Sequence, residues 1–256
     1  MNAAGIARVL AFFLLVTAIV LLSPLGTVLS YFLIISLSLA FMAASGIGLR
    51  PGSPLPGAVL GLLSISAVFG LTLATGVVTV TRLSSDVGAV LLFGAVLQLL
   101  VASGEELAFR GYILPGLEQA TGRNAAIVAS SAAFAVVHIA SMALLGVGAV
   151  AAAIALATIF LAGVLLALLY VHGGILSACG FHFCWNFLQY HVYGLGLRGE
   201  MPSIVSLSET GSLLATGGVF GPEASLPGLA VVLATLGIVL FYFYGKKWKI
   251  APVARD

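Results

Sequence analysis

The sequence predicts an all-α fold, a polytopic transmembrane helical bundle of about eight spans. Three observations carry this. Of 256 residues only 7% are charged and 61% are hydrophobic, whereas a soluble domain carries about 25% charged residues and needs them to cover its surface. The apolar runs are long enough to cross a bilayer. They do not alternate polar with apolar residues, which argues against a porin-type barrel. No basic stripe suggests nucleic acid. The chain reads as a single integral membrane domain over 1–256, with a motif-bearing core at 87–193.

The spans follow in order. Arg8 and the run Val9 to Leu22 predict a first span at 5–22, closed by Ser23-Pro24. The run is long for a secretory signal and lacks a small-residue cleavage site, so it is read as retained. The second span, 27–48, ends in the turn cluster Gly48-Leu49-Arg50-Pro51-Gly52. The third is 57–79, followed by a short loop with Arg82 and Asp86. The fourth runs from Val87 to Glu118, with a kink predicted at Pro115. The rest are 124–140, 149–171, 174–193 and 226–244. Gly194 to Ser225 is read as an external loop without obvious secondary structure.

Lys and Arg near span ends set the orientation. Arg8, Arg50, Arg110, Arg123, Arg255 and the cluster Lys246, Lys247, Lys249 fall on one side, against Arg82 and Arg198 on the other. The richer side is predicted cytoplasmic, with both termini there, in the cell membrane.

Ionisable groups within spans are expensive and point to function. Glu105 and Glu106 are about 100° apart on a helix and face different neighbours. Glu106 and Arg110 have the spacing of a same-face ion pair, a supporting role that neutralises one carboxylate. Glu105 has no local partner. His138 lies in the fifth span; His182 and Asn186 share one face of the seventh. At 1.5 Å per residue, Glu105, His138, His182 and Asn186 lie roughly 20, 22, 12 and 18 Å from the same end of the bundle. His172 and His191 fall near span ends and read as interfacial. Gln98, Ser130 and Ser131 can satisfy the backbone or neighbouring helices. Cys179 and Cys184 read as packing residues that cannot easily bridge.

Glu-Glu-x-x-x-Arg at 105–110, Phe-x-x-x-His at 134–138 and His-x-x-x-Asn at 182–186 resemble, in order, the three motifs of the CAAX protease and bacteriocin-processing family. This is the type II CAAX prenyl endopeptidase family, also called Abi. The later run Gly217 to Glu223 is also similar to bacterial members. The resemblance implies an intramembrane endopeptidase of eight helices with a cytosol-facing cavity. It implies that Glu105 and His138 activate water while His182 and Asn186 stabilise the oxyanion. It supports the reaction better than the substrate, which would be a membrane-associated protein or peptide, CAAX-type and prenylated ones included.

The residue chemistry is consistent with peptide hydrolysis, which needs a base and oxyanion donors. Two other classes stay open. One is a proton-coupled transporter or channel, for which intramembrane Glu and His are equally suitable. The other is a non-catalytic immunity or scaffold protein. No bound cofactor is expected. Glu105, His138 and His182 also make a His₂Glu set, an alternative zinc site, although no His-Glu-x-x-His motif is present.

Overall fold

The computed structural model describes residues 3–22, 27–196 and 201–245. Ser23 and Pro24, Arg198, and the basic residues Lys246, Lys247, Lys249 and Arg255 lie outside the described residues.

The chain is a helical bundle with an apolar exterior. Helices α1 (Ala3–Leu21), α2 (Thr27–Ser45) and α3 (Leu55–Ala74) are followed by the strand β1 (Val78–Leu83). Then come α4 (Val87–Glu106), a π-helical segment Leu107–Ile113, and α5 (Leu114–Thr121), all one continuous rod. After Gly122 come α6 (Arg123–Val137), α7 (Ile139–Leu144), α8 (Ala149–Gly173), α9 (Ile175–Phe187) and a second π segment, Leu188–Val192. The strand β2 (Val205–Glu209), the short α10 (Leu213–Thr216), two 3₁₀ turns and α11 (Leu226–Tyr244) complete it. Large apolar side chains such as Leu92 and Phe241 are largely exposed, as lipid-facing residues are.

Six helices among the described residues are long and apolar enough to cross a membrane. The expected first span coincides with a shorter apolar helix, Gly5–Leu21. The expected seventh coincides with α9 and its π extension, which is not among the six. His182, Asn186, Gln189 and His191 lower that helix's hydropathy.

Local signals explain the boundaries. Asp86 caps α4 by accepting from the Ala89 N–H, and Ser225 caps α11 by accepting from the Gly228 N–H. Gly174 joins α8 to α9 at φ 84°, a conformation glycine adopts without steric cost. A π-helical register lies just before Pro115, where the Leu114 N–H bonds to the Phe109 carbonyl five residues back. Pro115 has no N–H to offer the preceding turn, and the π register ends just before it.

The expected third span is shorter than predicted. Residues 78–83 leave the helix and pair antiparallel with 205–209, Thr79 opposite Ser208, with an irregularity between Val80 and Arg82. Val205–Glu209 is therefore a strand where a loop was expected, and a two-stranded sheet is added to the predicted all-α class.

Lipid supplies no hydrophobic drive for helices to associate, so close packing of small residues matters. The tightest seam joins α3 to α9. A Cβ built on Gly57 would lie 1.7 Å from the Ser177 carbonyl oxygen, and one on Gly180 would lie 2.4 Å from that of Pro54. Gly57→Ala must push the two backbones apart. Its expected cost is about 1–3 kcal/mol or more, read as a lower thermal midpoint in detergent. Gly88→Ala, which meets open space, is expected to stay neutral or gain up to about 1 kcal/mol of helix propensity.

Candidate active site

Arg110 lies at the centre of the bundle, 1% exposed. One guanidinium nitrogen donates to Glu106 Oε1 at 3.0 Å and another to the Gly163 carbonyl of α8 at 3.1 Å. The guanidinium carbon sits 4.4 Å from the centre of the Phe134 ring of α6, a favourable cation–π position. Arg110 is thus a core residue and does not mark a membrane side, contrary to its use in the orientation count.

Glu106 is fully buried and serves two partners. Besides Arg110, its Oε1 lies 2.8 Å from His182 Nδ1. A carboxylate only accepts, so Nδ1 carries the proton there. His182 Nε2 is left 3.7 Å from Glu105 Oε2, longer than a hydrogen bond. Glu105 turns the other way. It is part-buried, and its Oε1 accepts from the Tyr31 hydroxyl of α2 at 2.7 Å. Tyr31 is the partner that local sequence could not supply.

His138 ends α6. Its Nδ1 donates to the Phe134 carbonyl at 2.7 Å, because a carbonyl can only accept, and Nε2 remains for the cavity. The structure brings Glu105, His138, His182 and Asn186 onto the wall of one cavity of about 410 Å³. Among the described residues, no three His, Cys, Asp or Glu side chains are grouped to hold a metal ion.

One end of the bundle carries Arg50, Arg123 and the Gly174 turn; the other carries the sheet, the 145–148 turn and the 201–225 segment. Thr27, Leu145 and Met201 line the cavity and belong to the second end.

Two residues were underrated. His191 is not interfacial. It is fully buried, with Nε2 3.1 Å from Gln98 Nε2 and Nδ1 donating to the Pro202 carbonyl. Glu223, carried into the cavity wall by the returning loop, accepts from Trp185 Nε1 at 2.7 Å and Gln189 Nε2 at 3.0 Å. Its only sequence signal was the glycine-rich run before it. His172, by contrast, is exposed at the end of α8, stacked on Phe243.

Burial pushes the Glu223 carboxyl above its usual range, against its hydrogen bonds. A raised acid pKa favours the folded state below the unfolded pKa, and that contribution is lost as pH rises through the folded one. The thermal midpoint is therefore expected to gain on the acid side through Glu223, and Glu223→Gln removes that gain. Glu223→Leu leaves the Trp185 and Gln189 donors unpaired, an expected cost of about 1–3 kcal/mol for each, seen in the same melts.

Residues 87–188 match the family model described as type II CAAX prenyl endopeptidase Rce1-like. No curated protein and no solved structure matches the chain. The matched segment contains all three motifs and the four cavity residues they supply. The match covers less than half of the chain, and over that segment the chain is similar to type II CAAX prenyl endopeptidases; its apolar helices make it an integral membrane protein.

Proposed function

We propose that the protein is an intramembrane, glutamate-dependent endopeptidase that hydrolyses a peptide bond of a membrane-associated protein or peptide. The observation that carries this is the separation of the two glutamates. Glu106 is spent on Arg110 and His182, while Glu105 faces the cavity that His138, His182 and Asn186 also line.

In this reading Glu105 takes a proton from water. The Tyr31 hydroxyl fixes Oε1 and leaves Oε2 for that water. His138, held by Phe134, presents Nε2 to the same space and takes part in the proton's transfer to the leaving amine. Asn186 offers an amide N–H₂ to the oxyanion. His182 donates from Nε2 only when its ring holds both protons, since Nδ1–H is committed to Glu106. In that form the cluster of two carboxylates, one guanidinium and one imidazolium is neutral. The reading uses no metal. It takes the bundle as eight spans, with the short helix Gly5–Leu21 and the α9 helix crossing as well, the catalytic core at 87–193 and both termini cytoplasmic.

Glu105→Gln is expected to leave a folded protein with peptidase activity reduced about 10²–10⁴-fold, and to trap substrate for identification from the membrane. Asn186→Ala should cost about 10²–10³-fold. Glu106→Gln differs in kind. It breaks a buried ion pair, so stability should fall by about 3–5 kcal/mol. Full activity in both glutamate variants would overturn the assignment. Metal analysis of active protein gives a separate check: stoichiometric zinc, with activity lost to chelators and restored by zinc, would replace the metal-free reading.

A further inference from the structure

The face of α9 that carries His182 and Asn186 continues to Tyr190, two residues beyond the segment 87–188. The three are four residues apart, so on a regular helix each lies about 40° around from the one before. Tyr190 is carried on the π segment Leu188–Val192, whose wider turn holds it closer to the line of Asn186. All three line the cavity that Glu105 faces.

Hydrogen bonding sets Asn186 and Tyr190 apart from their neighbours. His182 is tied to Glu106, Trp185 and Gln189 to Glu223, and His191 to the Pro202 carbonyl. The Tyr193 hydroxyl lies 2.8 Å from that of Ser66. Asn186 and Tyr190 have no hydrogen-bond partner among the described residues. A phenol in an apolar bundle ordinarily spends its O–H on a neighbour, because a bond left unmade is costly. Tyr31 does so on Glu105. Tyr190 instead keeps its O–H for the cavity, in the field of both Glu105 and Glu223 and bonded to neither.

Peptide hydrolysis has a place for such a group. As the oxygen of water bonds to the scissile carbonyl carbon, the C=O electron pair moves onto the carbonyl oxygen, and that oxyanion needs donors. With a neutral His182 ring, the single N–H is held by Glu106, and Asn186 stands alone. A tyrosine hydroxyl ordinarily titrates near pH ~10, so at neutral pH it carries the proton it would donate.

We propose that Tyr190 is a further catalytic residue, whose hydroxyl donates with Asn186 to the oxyanion of the tetrahedral intermediate. It forms a hydrogen bond and transfers no proton. The proton of water goes to Glu105. When the C–N bond breaks, the oxyanion pair returns to the carbonyl and the leaving amine takes up the proton that Glu105 received. The proposal rests on the peptidase reading above.

Tyr190→Phe removes one oxygen and keeps the ring. The assay uses purified protein in proteoliposomes and, as probe, the best-cleaved member of a randomised pool of quenched-fluorescence peptides. In Tyr190→Phe, kcat is expected to fall about 10²–10³-fold with KM little changed, the mark of an interaction made only in the transition state. The thermal midpoint should equal the parent's, since the hydroxyl has no partner to lose. Tyr193→Phe gives the reverse pattern: its hydroxyl is bonded to Ser66 and does not line the cavity, so the midpoint should drop while kcat is kept. Unchanged kcat in Tyr190→Phe, a rise in KM alone, or a loss of kcat matched by a loss of midpoint overturns the proposal. The parent is assayed first. Its failure to cleave any peptide of the pool overturns the peptidase reading and this proposal together, whereas cleavage that survives Tyr190→Phe overturns this proposal alone.

Discussion

A guanidinium in the middle of a membrane bundle must be fully answered or it will not stay there. Arg110 is answered from three directions: Glu106 one turn back, the Gly163 carbonyl on α8 and the Phe134 ring on α6. Each partner imposes a condition. The Gly163 carbonyl comes within reach because α8 packs tightly on α6 there; a Cβ on Gly163 would lie 2.9 Å from that of Ser131. Phe134 also lends its carbonyl to His138, so the residue that covers the cation orients the histidine. Glu106 holds His182 as well, which brings α9 into register. One buried charge thereby sets the positions of α4, α6, α8 and α9, and Glu105 is the carboxylate left facing the cavity.

The fold class was legible because composition in a membrane protein is nearly decisive: charges are too few to face water. The motif residues were legible because a polar side chain in an apolar run stands out. The i,i+4 spacing of Glu106 and Arg110 needed no tertiary information. What composition and spacing could not show was anything set by distant contacts. Tyr31 is an ordinary aromatic in an apolar helix until it meets Glu105. Val78 and Thr79 read as the tail of a hydrophobic span and the residues to Leu83 as the loop after it, although the alternating Val and Thr suit a strand, and its partner lies far along the chain. His191 looked interfacial because depth was counted along a straight helix. The loop that folds back over it supplies the Pro202 carbonyl.

The π segments were equally hidden. A π insertion adds a residue to a turn and shifts the face of everything beyond it, and such insertions recur at functional sites. Here one begins directly after the glutamate pair and the other directly after the His182–Asn186 turn. In the second, the Tyr193 N–H reaches back to the Leu188 carbonyl at 2.7 Å. The buried Gln189 and His191 lie within it and are held by Glu223, Gln98 and the Pro202 carbonyl. The helix is widened where it must present polar groups to partners on both sides.

Chemistry and access are carried by different parts of the chain. The segment 87–188 supplies Glu105, His138, His182 and Asn186. The residues that aim and enclose them come from outside it: Tyr31 from α2, Met201 and Glu223 from the returning loop. That loop is fixed by the β1–β2 pairing at one point and by Trp185 and Gln189 at another. Its described residues Met201, Phe220 and Glu223 are thereby part of the cavity wall. In the proposed reading, the shape of that wall selects the peptide, while the groups that break its bond come from the segment beneath.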